Sequence, residues 1–294
     1  MTSTAILGQL SGLYEMQLHL LESVPESDAA RQFLPQLPSL SWYYAHGVYL
    51  ELHWLREVLE GDGDLAGRVS QLLQPGVLPL EAQCAGLPPR AHLISWASEI
   101  RDEHLRRLAT SGALPVTPLT ADDRLQWFLL QEQAKIYESM LEALNQRSLQ
   151  SQDIGHRCTL PLIPAAPAWQ TREISQGHYR IGARDDPRAC DIELPPQAVE
   201  LSSYRIALTP VNNAQYLAFM QAGGYEDPTL WSEAGLQWLG ESRTRHPEYW
   251  RQDVNGDWYE TAINGIGDLP PDEPVAGINR FEAEAFARWA VGIL

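Results

Sequence analysis

The feature that most constrains the fold is a change of sequence pattern near residue 148. Before this point, apolar residues recur every three or four positions over four long segments, which is the spacing of one face of an α-helix. After it, prolines interrupt the chain and short alternating runs replace the helical pattern, as is typical of strands and loops. A chain of 294 residues is expected to form two cores. We therefore predict a mixed α+β protein with a helical first domain.

The helical segments have short connections and carry their own end signals. Gly61 and Gly63 end the second helix, because glycine adopts a left-handed cap at little cost. Thr120 begins the fourth helix as an N-cap, with a carboxylate three residues later. The predicted helices are Ser3 to Leu21, Ser41 to Glu60, His92 to Leu108 and Thr120 to Gln146, with a short piece at Leu65 to Leu73.

The pattern predicts three parts of the chain. Residues 1–150 form a four-helix bundle, because four long amphipathic helices with short joints favour that arrangement. Residues 151–170 form a proline-containing linker, and residues 171–294 form a loop-rich domain with short strands. Helices are expected there at about 212–222 and 280–289.

Charge excludes several classes of partner. The chain carries 21 basic and 38 acidic side chains, a net charge of −17, which repels nucleic acid and anionic membrane surfaces. No apolar run reaches the length of a membrane helix, and no targeting segment is recognisable, so we predict a cytoplasmic protein. The three cysteines, Cys84, Cys158 and Cys190, form no Cys-x-x-Cys pair, so the sequence suggests neither a disulfide framework nor a thiolate zinc site.

A series of short motifs between Glu193 and Trp289 resembles the first part of the formylglycine-generating-enzyme domain, also called the sulfatase-modifying-factor domain. The resemblance implies a partial C-type-lectin-like fold, because two later runs of that family, Arg-Leu-Pro-Thr-Glu-Ala-Glu-Trp and Trp-Glu-Trp, do not occur in this chain. The motifs are Glu-Leu-Pro-Pro at 193–196, Thr-Pro-Val-Asn-Asn-Ala-Gln-Tyr at 209–216, Gly-Gly-Tyr at 223–225, Pro-Glu-Tyr-Trp at 247–250, Glu-Pro-Val at 273–275 and Asn-Arg-Phe-Glu-Ala-Glu-Ala-Phe-Ala-Arg-Trp at 279–289.

A DinB-like helical bundle followed by such a domain resembles the sulfoxide synthases of ergothioneine and selenoneine biosynthesis. The resemblance implies a non-haem iron(II) centre that uses dioxygen to form a carbon–sulfur bond between a small-molecule thiol and a trimethylated histidine. It also implies three histidine ligands, one on the second bundle helix and two in a His-x-x-x-His pair on the last. Residues four apart lie on one helix face, so both imidazoles of such a pair can bind one metal.

Two residues are the candidate iron ligands implied by this resemblance. His46, in the run Trp42-Tyr43-Tyr44-Ala45-His46, matches the family's first ligand. The last helix has no histidine; one alignment puts Gln131 and Lys135 at the paired positions, and another puts Glu132 and Ile136 there. Glu132 is the candidate oxygen ligand, although a carboxylate at the edge of an apolar face is also an ordinary surface residue.

Other polar and aromatic residues have a structural and a functional interpretation. Arg101 resembles an arginine that binds a substrate carboxylate in the family, and a surface ion pair with Glu99 or Glu103 is equally compatible. His104, among charged neighbours, is predicted to lie on a solvated face. The tryptophans of the second domain are predicted to fill its core, and Asn212 and Gln215 either line a pocket or cap the following helix.

Two functions follow from the sequence. The first is an iron(II)- and dioxygen-dependent oxidoreductase, and the second is a non-catalytic homologue, truncated or acting as a binding or scaffold protein without the metal site. If the chain ends at Leu294, Phe281, Phe286 and Trp289 are expected to lack partners. We therefore predict that a partner chain or self-association covers this last helix, or that the chain is a fragment.

Overall fold

The computed structural model describes residues 3–110, 112–150, 156–184, 186–262 and 265–291. The chain divides into two compact units. The first unit comprises Met1–Gln150 and Arg180–Val199, and the second comprises Ser151–Tyr179 and Glu200–Leu294. The mixed α+β class is confirmed. The predicted domain bounds and linker stay predictions, and residues 151–155 of that linker lie outside the described residues.

The first unit is built on four long helices that pack against one another, α1, α3, α6 and α7. Large apolar side chains such as Leu10, Leu52, Leu129 and Met140 are completely or almost completely buried in it. Ser39 caps α3, because its side chain accepts a hydrogen bond from the backbone N–H of Trp42 at 3.3 Å. The helices are α1 Ser3–Glu22, α2 Glu26–Ala29, α3 Leu40–Glu51, α4 Asp64–Leu73, α5 Leu80–Ala85, α6 Arg90–Ala109 and α7 Arg124–Gln150.

Two details of these helices differ from the sequence prediction. The second predicted helix is continuous, but its last part, Leu52–Val58, is a π-helix. The predicted N-cap at Thr120 is wrong, because its hydroxyl donates to the carbonyl of Pro115 at 2.8 Å and makes no cap bond. Asp122 and Asp123 have φ angles of 54° and 56°, which no α-helix contains, so α7 begins at Arg124.

Beyond α7, the described residues form short antiparallel strands and three further α-helices. The strand β1 (Thr171–Ile174) pairs with β4 (Tyr204–Ala207), and β2 (Gly177–Ile181) pairs with β3 (Gln197–Leu201). A three-stranded sheet joins β5 (Trp250–Gln252), β6 (Trp258–Ala262) and β7 (Gly265–Asp268) in that order. The helices are α8 Asn213–Gln221, α9 Glu233–Ser242 and α10 Arg280–Val291.

The start of α8 shows why its polar residues occur where they do. The side chain of Asn212 accepts a hydrogen bond from the N–H of Gln215 at 2.9 Å, and the Gln215 side chain accepts one from the N–H of Asn212 at 3.1 Å. This reciprocal capping box satisfies two N–H groups that the first helical turn leaves without partners. The capping interpretation of these residues is confirmed.

The core of the second unit is aromatic, as predicted. Trp231 and Trp250 are buried, and the rings of Tyr216, Phe219 and Phe286 lie 5.3 to 5.7 Å apart. The expectation that α10 presents an unpartnered apolar face is wrong. Phe286 is only 4% exposed because α8 covers it, and Phe281 and Trp289 pack against the same core. These three side chains of α10 therefore have partners within the described part of the second unit.

Candidate functional site

His46, the predicted first ligand, is held in a defined orientation on α3. Its ring stacks on Trp42 with centroids 4.5 Å apart and planes 12° from parallel. Its Nδ1 lies 2.8 Å from the carbonyl oxygen of Leu73, and because a carbonyl only accepts, Nδ1 is the protonated nitrogen. Burial lowers the pKa of His46, so its Nε2 keeps a free lone pair near neutral pH. A backbone carbonyl on the other nitrogen is the usual support of a metal-binding histidine.

Glu132, the predicted oxygen ligand, is engaged within its own helix. Its carboxylate forms an ion pair with Lys135, three residues further along α7. Glu132 is close enough for its charge to favour protonation of His46, an effect smaller than the opposing effect of burial. The neighbouring Gln131 donates a hydrogen bond from its side chain to the carbonyl of Arg188.

These residues do not make a donor set that fits the iron(II) site implied by the resemblance. Lys135 carries a positive charge beside Glu132, Ile136 is buried and has no donor atom, and the Gln131 amide is already bonded. Among the described residues, three His, Cys, Asp or Glu ligand atoms come together at a different place, in the second unit. His46 and Glu132 as iron ligands stay predictions.

Arg101 and His104 lie inside the first unit and not on its surface. Both belong to α6, and their exposed fractions are 4% and 0%. The Arg101 guanidinium donates to the side-chain oxygen of Gln17 at 2.6 Å and lies over the rings of Tyr14 and Tyr44, at 4.3 and 4.7 Å from their centroids. The predictions of a solvated His104 and a surface ion pair of Arg101 are therefore wrong. Binding of a substrate carboxylate by Arg101 stays a prediction.

The first unit contains a cavity of about 400 Å³ beside α7, which is in the size range of small-molecule sites. One wall consists of Trp54 and Phe128, whose rings meet edge to face with centroids 4.9 Å apart. Residues of the segment 186–194 also line it. Trp54 belongs to the π-helix that extends α3, and such wide turns are frequent at functional sites.

The cavity is lined by charges of both signs. Arg124 and Lys135 contribute positive charge, and Glu132, Asp186 and Asp191 contribute negative charge. Hydrogen bonds from Arg188 lower the pKa of Asp186 to about 2, so this carboxylate is ionised at neutral pH. A cavity with aromatic faces and both charges suits a small zwitterion better than an apolar ligand or a simple ion.

A row of aromatic rings runs along α3 and the π-helix, from His46 to Trp54 at this cavity. Successive ring centroids are 6.1 Å apart from His46 to Tyr49, 6.2 Å from Tyr49 to His53 and 5.5 Å from His53 to Trp54. The sequence pattern indicates His46 and Glu132 as candidate site residues, but it does not indicate Trp54 or Phe128. In the sequence, Trp54 and Phe128 are aromatic residues at helical spacing, and buried core residues show the same pattern.

The chain is similar to known proteins in two ways. Residues 164–292 match the sulfatase-modifying factor enzyme 1-like domain. Over 90% of its length the chain is 33% identical to the hercynine oxygenase of Mycolicibacterium thermoresistibile, and over 94% it is 31% identical to that of Mycolicibacterium smegmatis. It is 29% identical to the hercynine oxygenase of Mycobacterium tuberculosis over 90% of its length. The chain spans 58%, 63% and 61% of the length of these three relatives.

Proposed function

We propose that this chain belongs to the family of the hercynine oxygenases, to which it is similar, and that it binds a betaine of hercynine type in the cavity of its first unit. We further propose that it does so without the three-histidine iron(II) site of that family. The observation that carries the proposal is the pairing of the Trp54 and Phe128 rings with charges of both signs in one cavity.

The aromatic side of the cavity suits the quaternary ammonium group of such a ligand. A trimethylated amine has no N–H to donate, so it is held by ring faces and by diffuse negative charge and not by hydrogen bonds. Trp54 and Phe128 supply the rings, and Asp191 supplies a carboxylate at the same cavity. Histidine without the methyl groups keeps its ammonium hydrogens and its strong hydration, so it should bind more weakly here.

The basic side of the cavity suits the ligand's carboxylate. Arg124 offers a planar guanidinium, which binds a carboxylate through two parallel N–H groups. Lys135, the only lysine in the sequence, also lines the cavity, where its ammonium group pairs with Glu132. The ammonium group and the carboxylate of a zwitterion therefore each have partners of opposite charge among the residues that line this cavity.

A second candidate function is the oxygenation reaction itself, with iron(II) held by His46 and Glu132 and a thiol as co-substrate. It is favoured by the hydrogen bond from His46 Nδ1 to the Leu73 carbonyl, which leaves Nε2 available to a metal. It is disfavoured by Lys135, because the Lys135 ammonium group forms an ion pair with the Glu132 carboxylate. The two candidates differ in whether ligand binding depends on iron.

Calorimetric titration of the full chain with hercynine, in the presence of a chelator, tests the proposal. We expect measurable binding to the wild type and weaker binding of histidine. Trp54→Leu and Arg124→Gln should each weaken hercynine binding by a factor of about ten, equivalent to 1.4 kcal/mol. The control for Trp54→Leu is Trp127→Leu, because Trp127 lies on α7 and does not line the cavity. The control for Arg124→Gln is Arg68→Gln, at an exposed position. Both control variants should bind hercynine like the wild type.

The single lysine allows a second readout that needs no mutation. Reductive methylation with a carbon-13 label keeps the charge of Lys135 and marks only this side chain and the chain's amino terminus. Hercynine should shift the NMR signal of the labelled Lys135, and histidine at the same concentration should shift it less. An unchanged Lys135 signal, together with equal affinity in Trp54→Leu and wild type, would overturn the proposed site.

A further inference from the structure

A second cluster of ligand-type side chains lies in the second unit, apart from the cavity described above. The segment that begins at residue 156 runs along the three-stranded sheet β5–β6–β7. The N–H of Cys158 donates to the carboxylate of Asp253 at 3.1 Å, and the N–H of Leu160 donates to that of Asp268 at 2.9 Å. These bonds bring His156 and Cys158 to the end of β7, where Asp268 is the last residue.

The donor atoms are at metal-binding separations. One atom each of His156, Cys158 and Asp268 lies within 4.8 Å of the others. The His156 Nε2 and an Asp268 carboxylate oxygen are 3.4 Å apart. Two ligands about 2.1 Å from a tetrahedral zinc ion lie about 3.4 Å from each other, so this pair already has the spacing that zinc requires.

The imidazole of His156 has an unused nitrogen directed at this place. Its Nε2 is buried and has no hydrogen-bond partner among the described residues, since its approach to Asp268 does not have the geometry of a hydrogen bond. A buried polar atom without a partner is rare, and a bound ion is one of its standard explanations. The ring itself is positioned by Tyr259, whose centroid is 4.8 Å away.

The charges around the cluster favour a cation. The carboxylates of Asp253, Asp257 and Asp268 are all close enough to the Cys158 thiol to act on it electrostatically. The N–H groups of Thr159 and Leu160 both donate hydrogen bonds to the Asp268 carboxylate. A divalent cation would reverse the local field and stabilise the thiolate.

We propose that His156 Nε2, Cys158 Sγ and Asp268 bind a zinc-type transition-metal ion and thereby fasten the segment 156–160 to the end of β7. Nitrogen, sulfur and oxygen donors together are typical of zinc and exclude calcium and magnesium, which take oxygen ligands. His156 binds as the neutral imidazole, and Cys158 releases its proton to solvent when the metal binds. A water molecule completes the four ligands.

Cobalt(II) is the probe for this site, because a thiolate ligand gives the cobalt ion a charge-transfer absorption that a nitrogen or oxygen ligand does not. We expect the full chain to bind one equivalent of cobalt(II) with that absorption and to release it to zinc. Cys158→Ser should abolish the band, and His156→Ala should weaken binding by a factor of about ten or more. Cys190→Ser is the matched control and should keep the wild-type spectrum.

A second measurement avoids any loss of folding in the variants. Alkylation of the wild-type chain with iodoacetamide, followed by peptide mass spectrometry, reports each cysteine separately. Zinc should protect Cys158 and leave the alkylation of Cys190 unchanged. The proposal is overturned if cobalt(II) gives no thiolate band with the wild type, if the band survives in Cys158→Ser, or if zinc does not alter the alkylation of Cys158.

Discussion

The imidazole Nδ1 of His104 lies 3.0 Å from a carboxylate oxygen of Glu51, and neither side chain is exposed to solvent. The other oxygen of Glu51 accepts a hydrogen bond from the Gln133 amide at 2.7 Å, and that amide also donates to the carbonyl of Gly47. Gln17 donates to the side chain of Gln133 at 2.9 Å. A buried polar network therefore joins α1, α3, α6 and α7.

Loss of Glu51 should strongly destabilise the chain. In Glu51→Ala the His104 ring and the Gln133 amide lose their buried partner, which typically costs about 3–5 kcal/mol. Urea unfolding of the full chain, followed by circular dichroism, measures this change. Glu57→Ala is the control, since Glu57 pairs with His53 at the surface, where a pair contributes about 0–1 kcal/mol. Equal stability of the two variants would show that the network contributes little.

A substitution of Arg101 distinguishes a role in stabilising the fold from a role in binding the ligand. We expect Arg101→Leu to lower the free energy of unfolding by about 3 kcal/mol, because Gln17 loses a charged donor and Tyr14 and Tyr44 lose the cation between their rings. Hercynine affinity, measured by calorimetry at a temperature where the variant is folded, should not change. A variant with wild-type stability and lost affinity would instead assign Arg101 to the substrate, as the family resemblance implies.

His246 should make stability depend on pH. Burial lowers the pKa of His246, and this is the largest effect. The hydrogen bond to the Pro247 carbonyl raises the pKa by less than burial lowers it, and the positive charge of Arg251 also lowers it. The unfolded chain then binds a proton more readily, so stability is complete above a pH of about 6.5 and falls as the pH decreases towards the folded pKa.

The measurement is the free energy of unfolding of wild type and His246→Gln between pH 5 and 8. The variant should lose less stability on acidification than the wild type. His92→Gln, at an exposed position, should follow the wild-type curve. A steeper loss in His246→Gln than in wild type would contradict the direction of the pKa shift.

Phe286 tests whether α10 belongs to the core of the second unit. Truncation in Phe286→Ala removes a ring that lies among Tyr216, Phe219 and Trp289, and such a cavity costs about 3–5 kcal/mol. Val291→Ala, on the same helix at a residue that is 73% exposed, should change stability by less than about 0.5 kcal/mol. Thermal unfolding of both variants is the measurement. If α10 packs within the isolated chain, Phe286→Ala lowers the stability much more than Val291→Ala; if α10 depends on a partner chain, the two variants have similar stability.

The helices and the aromatic core could be predicted from the sequence, because apolar spacing records which helix face is buried. His104 could not, since its charged neighbours indicate a solvated face and its partner Glu51 lies on another helix. Cys158 is a similar case: no local spacing connects it with Asp268, which approaches only when β7 forms. The cavity at Trp54 depends on the π-helix and on the segment 186–194, and neither has a recognisable sequence signal.

We expect the cavity beside α7 to bind a hercynine-type betaine without iron. Anaerobic calorimetric titration with hercynine, once with iron(II) and once with a chelator, compares the two affinities on the same protein. We predict equal affinity in both conditions and an unchanged affinity in His46→Ala. Binding that requires iron(II) and disappears in His46→Ala would contradict the claim and support an iron-dependent oxygenase.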